Sequence, residues 1–347
     1  MKKLPSVFVH IVTWNSEEII AECISRVIKQ EQYTLGSNLF IHITDNASTD
    51  ATVGAVTECL QEGITLGCNP ANIGFSGGHN QGAYNFVNSK CDALLVLNPD
   101  VGLSPNFLIS SIHRLSTQRR IGMVTPKLLR ALPSLEPIYP HVLDACGMEL
   151  TAACRHFDRG SGAWDNGQFS SGESVFGATG ACLLISRECV ESVSLPDNLP
   201  NEHLYDVYPE LDHEHGKRTQ LFDEAFFAYR EDADLSWRVR SLGWLCWYEP
   251  EAVANHVRVV LPERRKSLPA ELNMLGVRNR FLLQVNNWRF RDGLWMLLWG
   301  IIVRNIIVIA GVLLQERSSL KGLIEAKKLS SRSRYIRRWI NERRVAL

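Results

Sequence analysis

Within the first hundred residues, short β-rich runs alternate with stretches of helical spacing, and this alternation limits the fold more than any other feature. Residues 7–12, 39–44, 64–67 and 93–97 are rich in Val, Ile, Leu and Phe, while 17–30, 51–62 and 74–88 repeat apolar residues at helical spacing. Strand, helix, strand, helix predicts an α/β chain with a mostly parallel sheet and right-handed crossovers. Ligands in such sheets bind beyond the carboxyl ends of the strands. Three polar clusters fall there: Thr13-Trp14-Asn15, the run from Asp45 through Asn46 and Ser48 to Asp50, and Asn98-Pro99-Asp100. Asn15 with Glu18 predicts a capping box, and Asp50 an N-cap for the next helix.

The rest of the chain is less regular. Residues 126–176 are Pro/Gly-rich with short β pieces, 198–220 predict a polar loop, and 262–269 a linker. Beyond the linker lie an apolar stretch at 294–314 and a tail with ten Lys/Arg against three Glu from residue 316 onward. A length of 347 residues accommodates a catalytic-size domain, assigned to 1–262, and a C-terminal helical region, 263–347. Nine cysteines without any C-x-x-C spacing predict reduced, buried thiols and no zinc site. Met1-Lys2-Lys3 leads into an apolar stretch too short and mixed for a secretory signal, which predicts a cytoplasmic body.

The segment 226–244, FFAYREDADLSWRVRSLGW, carries the sharpest chemical oddity. As a helix it aligns Asp232 with Leu235, Val239 and Leu242 on one core-facing stripe. A carboxylate there needs a partner or a task. Glu231, Asp234 and Arg238 fall on another face, where Asp234 and Arg238 make an ordinary i,i+4 pair and the acids suit the helix dipole. Asp100 ends a strand as a carboxylate suited to Mg²⁺ or Mn²⁺ with phosphate oxygens, although Asn-Pro-Asp is also a common turn. The Gly-rich run 72–82 lets backbone N–H groups approach a phosphate or sugar, or equally makes a tight turn with close helix packing. It matches neither the dinucleotide nor the P-loop pattern. His256, followed by Arg258, Arg264, Arg265 and Lys266, suits an anion; a solvated basic loop competes.

Taken in order, HIVTWNSEE, ITDNASTDAT, NIGFSGGHNQG, LNPDV, GATGACLLISRE and FFAYREDADLSWRVRSLGW resemble the successive motifs of glycosyltransferase family 2, most closely its bacterial rhamnosyltransferase-like branch. The likeness spans residues 6–260, and RHFDRGSGAWDNGQF at 155–169 also resembles that branch. The resemblance implies a GT-A fold: a Rossmann-like, mostly parallel sheet flanked by helices. It implies inverting, nonprocessive transfer from a nucleotide-sugar, with dTDP-L-rhamnose favoured over UDP-sugars. Thr13, Asn15 and Asp45 match nucleoside-holding positions, and Asn72, Gly74 and Asn80 lie around the nucleotide-sugar. Asn46, Ser48, Gly77 and Asn98 join that binding set. Asp100 matches the metal-binding Asp of a D-x-D element whose first Asp is Asn98 here. Asp232 matches the general base with Glu231 in support, and His256 a histidine near the divalent cation and diphosphate. Implied acceptors are a glycan or a polyprenyl-diphosphate-linked glycan in cell-surface polysaccharide synthesis. Competing classes are a non-catalytic nucleotide-sugar or glycan binder, a sugar nucleotidyltransferase and a processive synthase. The nucleotidyltransferase would want a basic Gly-rich loop after the first strand. The synthase would want Q-x-x-R-W before several spans.

Residues 294–314 approach the ~20 residues that cross a bilayer. Arg304 and Asn305 fall at the centre, where an Arg costs about 2.5–3.5 kcal/mol. Basic residues flank both sides, with Arg278, Arg280, Arg289 and Arg291 before and the tail after. These facts predict helices lying on the cytoplasmic membrane surface, with Trp288, Trp295, Trp299 and Trp339 as interface anchors. A soluble hairpin packing on the body or on a second copy, as a homo-oligomer, is the competing reading. No nucleic-acid module accompanies the basic tail.

Overall fold

The computed structural model describes residues 4–212, 217–258 and 269–344. Its strands are β1 (Val7–Thr13), β2 (Leu39–Asp45), β3 (Ile64–Cys68), β4 (Ala93–Leu97), β5 (Val101–Leu103), β6 (Ile121–Arg130), β7 (Leu143–Ala145), β8 (Met148–Leu150), β9 (His156–Asp158), β10 (Glu173–Val175), β11 (Cys182–Ser186) and β12 (Leu245–His256). The helices are α1 (Ile20–Ile28), α2 (Thr52–Glu58), α3 (Gly74–Val87), α4 (Phe107–Thr117), α5 (Arg187–Val193), α6 (Glu202–Val207), α7 (Glu231–Ser241), α8 (Ala270–Asn287), α9 (Arg304–Leu314), α10 (Leu320–Lys328) and α11 (Ser330–Arg343).

One ten-stranded sheet runs β10-β12-β6-β11-β4-β1-β2-β3, with β5 on β12 and β7 on β6. The β3-β2-β1-β4 half is parallel, as the alternation predicts. β11 then runs antiparallel to both β4 and β6, so the sheet is mixed. β1 and β4 are buried on both faces and therefore read as unbroken apolar runs. β8 and β9 form a separate ribbon.

The capping box does not form: Asn15 sits at φ +51°, and its Oδ1 accepts the Thr49 N–H at 2.9 Å instead. Asp50 accepts the Thr52 N–H at 3.0 Å, but from one residue before the N-cap of α2, which is Ala51. The polar stretch 198–220 holds α6 and a 3₁₀ turn over Pro209–Leu211, because Leu204, Tyr208 and Leu211 bury against Trp237 and Leu282 in one cluster. All nine cysteines are free; seven are buried, Cys59 is half-buried and Cys68 exposed.

The C-terminal helices share cores with the sheet. Ile336, Trp339 and Ile340 of α11 pack with Leu183, Leu235 and Val239, and Leu282 and Leu283 of α8 pack with Ala233 and Trp237. The expected boundary at 262/263 and the basic residues Arg264, Arg265 and Lys266 lie outside the described residues. The flank before the stretch is folded in, with Arg278, Arg280 and Arg289 buried, whereas in the tail Arg332 is buried and most of the other Lys/Arg are exposed. Arg278 pairs with Glu325 at 3.0 Å, and Arg332 with Asp223 at 2.8 Å. Trp288 and Trp339 are buried in these contacts and cannot be interface anchors, whereas Trp295 and Trp299 are exposed.

The apolar stretch is one continuous helix, Met296–Leu314, opening with a π-helical segment over Met296–Val303 and continuing as α9. It lies along the body. A Cβ on Gly300 would stand 2.9 Å from Ala152 O and Cys154 Cβ, so only glycine permits that seat. Asn305 Oδ1 accepts from Arg280 at 2.9 Å, and its Nδ2 donates to Gln284 Oε1 at 2.7 Å.

Candidate functional site

Parallel pairing brings three polar strand ends to one rim. Thr13 stands opposite Asp45, and β4 ends beside β1 just before Asn98. The buried Asp45 carboxylate accepts from Thr13 Oγ1 (3.0 Å), Ser48 Oγ (2.5 Å) and Ser48 N (2.9 Å). The Asn15 N–H donates to the same Ser48 hydroxyl at 2.9 Å. Asn46 Nδ2 donates to Gly74 O at 3.0 Å, and Asn72 Oδ1 accepts the Gly74 N–H at 2.9 Å. Thr13, Asn15, Asp45, Asn46, Ser48, Asn72 and Gly74 are therefore one hydrogen-bonded group.

Two residues expected with them lie elsewhere. Asn80 is fully buried, exchanging hydrogen bonds with Phe222 N and O and donating to Glu224 Oε1. Gly77 packs on Leu211 and Ile73, where a Cβ would meet Leu211 at 2.9 Å. The closest approach to the Gly-rich turn is also protein. Gly74 adopts φ +75°, and a Cβ there would lie 2.6 Å from Phe227 O. Close packing, one of the two readings open for this run, accounts for both glycines.

Antiparallel pairing of β5 with β12 sets His256 opposite Val101 and so beside Asp100. His256 Nε2 is 3.5 Å from Asp100 Oδ1, and its Nδ1 bonds Asp144 Oδ2 at 2.7 Å. Burial opposes charge on this imidazole, yet Asp100 and Asp144 lift its pKa to about 10. Arg258 donates to Asp144 Oδ1 at 3.0 Å and pairs with Asp158. Burial would raise the Asp144 pKa, but His256 and Arg258 hold it below the usual range.

Asp100, His256, Arg258 and Asp158 line a cavity of about 800 Å³ with Asn98, Glu231 and Asp232. Asp232 is half-buried and opens onto the cavity; Gly180 N–H donates to its Oδ2 at 3.0 Å. Burial raises its pKa above the ordinary aspartate value despite that donor. The backbone just before it is left-handed at three non-glycine residues, Phe227 (φ 62°), Tyr229 (φ 69°) and Arg230 (φ 72°). Such conformations cost about 1–3 kcal/mol each and persist only when held. Asn279 of α8 holds them, its Nδ2 donating to the carbonyls of Phe226, Ala228 and Tyr229.

Leu235, Val239 and Leu242 are buried as expected, but Glu231 and Asp234 are buried more deeply than Asp232. α8 covers the face expected to meet water. Asp234 Oδ1 accepts from Asn286 (2.9 Å) and Asn287 (2.6 Å), and its pair with the fully buried Arg238 is 3.6 Å long. Glu231 Oε2 accepts no hydrogen bond from described residues, and burial with Asp232 nearby raises its pKa well above the ordinary value.

The donors present fit a divalent cation. Asp100 Oδ1 is buried and accepts no hydrogen bond among described residues, beside His256 Nε2. Asp144 on Nδ1 orients the ring as metal-bound histidines are oriented. No group of three or more His, Cys, Asp or Glu suited to a metal occurs among the described residues. Other ligands would have to be diphosphate oxygens and water.

Asp144 and Gly180 carry no signal in the sequence that marks them for the site, and Arg280 stands out there only as a basic residue flanking the apolar stretch. Arg155 and Asp158 lie in the quoted 155–169 run without an assigned part. Arg304 was met only as a membrane cost, although its side chain lines the cavity.

Residues 5–274 match the family described as "Glycosyltransferase like family 2". No curated protein sequence matches the chain. Among solved structures, GalNAc-T7 with UDP, GalNAc and Mn²⁺ superposes with a TM-score of 0.59 at 13% identity, over 84% of this chain and 50% of that one. The chain thus spans half the length of GalNAc-T7. TarS 1-349 of S. aureus with UDP-GlcNAc gives 0.54 at 12% identity over 99% and 93%. The mannosyltransferase PcManGT of Pyrobaculum calidifontis with GDP-Man and Mn²⁺ gives 0.51 at 12% over 98% and 86%. At these identities the likeness speaks for the fold alone.

Proposed function

The chain belongs to glycosyltransferase like family 2 and has a GT-A fold, and from that premise we propose that it is an inverting, nonprocessive glycosyltransferase. Its donor is a nucleotide-sugar, dTDP-L-rhamnose ahead of UDP-sugars, and its acceptor a hydroxyl of a glycan or lipid-linked glycan in polysaccharide synthesis. It works on the cytoplasmic face of the membrane, attached through the exposed side of Met296–Leu314. Support for the donor class comes from the solved relatives, which were crystallised with UDP, UDP-GlcNAc or GDP-Man.

The observation that carries the reading is Asp232. It is a carboxylate with a raised pKa on the cavity wall, aimed by Gly180 and placed in the same cavity as Asp100 and His256. A base with that pKa takes a proton more readily than an ordinary aspartate. The acceptor oxygen bonds to the anomeric carbon as the carbon–diphosphate bond breaks. Asp232 receives the hydroxyl proton, and the electron pair leaves on the nucleoside diphosphate. Arg258 supplies positive charge at that edge. A divalent cation held by Asp100 and by Nε2 of His256 in its neutral form would neutralise the same leaving oxygens. Thr13, Asn15, Asp45 and Ser48 form the nucleoside rim, where Asp45 Oδ2 keeps a lone pair for a base N–H.

Asp232→Asn tests this. The amide oxygen can still accept from Gly180, while the bond from the Ala233 N–H to the other oxygen is given up together with the base. Transfer should fall about 10²–10⁴-fold, with nucleotide-sugar binding still measurable by calorimetry. Near-normal turnover would sink the assignment.

A further inference from the structure

One wall of the cavity comes from the C-terminal helices: Gly276 and Arg280 of α8, and Arg304 and Val308 of α9. Its charge is unbalanced. Arg280 makes three hydrogen bonds, all to neutral oxygens: Gly300 O (2.7 Å), Asn305 Oδ1 (2.9 Å) and Cys154 O (3.4 Å). Arg304 Nε is buried without an acceptor among the described residues. Neither arginine has a carboxylate partner among those residues. A third guanidinium, Arg155, lies 4.4 Å over the Phe157 ring on the same cavity. Burial, with repulsion from Arg304 and Arg155, pulls the Arg280 pKa down to about 10. Guanidinium groups brought together around one that is buried call for an anion with several acceptor oxygens, which a phosphate or diphosphate provides.

The helix that carries Arg304 inward turns an apolar face outward. Ile306 is 62% exposed, Trp295 67% and Ile307 54%. Over Met296–Leu314 the mean hydropathy is 2.4 and only 11% is buried. Arg304 and this surface are separated by one helix diameter, about 10 Å. A ligand that satisfies both has an anionic head and a long apolar tail.

We infer that Arg280 and Arg304, with Arg155, form an acceptor subsite for the phosphate or diphosphate of a long-chain lipid whose attached sugar presents its hydroxyl to Asp232. This rests on the transfer reading above and chooses the lipid-linked acceptor over a free glycan. The tail stays in the bilayer against Ile302, Ile306 and Ile307, and the head enters between α8 and α9. Arg304 is the positioning side chain contributed by the membrane-facing helix itself.

Binding can be read without any transfer. The full-length protein is floated with phosphatidylcholine vesicles, plain or doped with a polyprenyl diphosphate, and wild type is compared with Arg304→Gln and Arg304→Lys. Wild type should bind doped vesicles at least tenfold more tightly, Arg304→Gln should lose that preference, and Arg304→Lys should keep part of it. A tailless, water-soluble diphosphate should compete poorly. Equal binding of wild type to both vesicles overturns the inference, as does full competition by the tailless diphosphate. A second arm measures steady-state KM. In Arg304→Gln the KM for a lipid-diphosphate glycan should rise about tenfold relative to that for a phosphate-free alkyl glycoside. An equal rise for both acceptors marks a structural part only, and a rise in donor KM instead assigns Arg304 to the donor diphosphate; either result overturns the proposal. The vesicle arm does not depend on Asp232, so its failure is distinct from failure of the transferase reading.

Discussion

Asp234→Ala tests the face of α7 that helical spacing assigns to solvent and that α8 covers. Asp234 is fully buried, accepting from Asn286 and Asn287 and facing Arg238 at 3.6 Å. Arg238 is equally buried; its Nη2 donates to Leu221 O at 2.7 Å, while its Nε and Nη1 have no acceptor among the described residues. A solvated i,i+4 pair would be worth about 0.3–0.5 kcal/mol, and its loss would be nearly silent. Removing one partner of a buried pair costs about 3–5 kcal/mol, because the other charge stays buried. Asp223 also acts on Arg238 and remains in the variant, which places the expectation near the lower end, about 3 kcal/mol. With a urea m-value of about 3 kcal/mol/M, the midpoint falls by about 1 M, read by tryptophan fluorescence. Asp234→Leu with Arg238→Met should recover most of the loss, since both charges are gone. Asn286 keeps Asp223 Oδ2 and Asn287 keeps Leu283 O as acceptors. A single-variant loss under about 0.5 kcal/mol would refute the burial argument.

Acid should act through the buried histidines. Burial pushes His79 to about 3 and His42 to about 4, and burial with His79 nearby holds His10 well below its ordinary value. The unfolded chain binds protons that the fold refuses, so this stability is complete above about pH 6.5 and drains as pH falls toward 4. His79→Gln should reduce the slope of unfolding free energy between pH 6 and 4.5 by about one proton, roughly 1.4 kcal/mol per pH unit; an unchanged slope contradicts it. Asp144→Asn removes the carboxylate from His256 Nδ1, and the apparent affinity for Mn²⁺ in an activity titration should weaken about 10–100-fold. Unaltered Mn²⁺ dependence would remove His256 from the cation site.

The N-terminal half of the sheet is legible because each strand is its own apolar run and each crossover its own helical period. Asp45, Asp100 and Asp232 are legible too, as carboxylates at strand ends or on an apolar stripe. Other parts exist only in space. Asp144 lies 112 residues from His256 and meets it through pairings of β5, β6, β7 and β12 that no local pattern announces. The burial of Asp234 depends on α8, beyond the segment 259–268, and nothing within α7 distinguishes a face covered by another helix from one covered by water. Asn80 misled because a polar residue in a Gly-rich run suits a ligand as well as it suits the Phe222 backbone. Arg304 was visible as an anomaly in an apolar run, but hydropathy gives it a cost and no direction.

The seat of Gly300 against Ala152 and Cys154 has a consequence for how such a chain can vary. The outer helix is clamped at one point where no side chain fits, so its two faces move together. A change of bulk on the greasy side is transmitted to the angle at which Arg304 enters the cavity. The rim around Asp45 is linked differently, through hydrogen bonds among the ends of β1 and β2 and the turn at Gly74. A change there is felt by its bonded neighbours, whereas a change at Gly300 is felt by a whole helix.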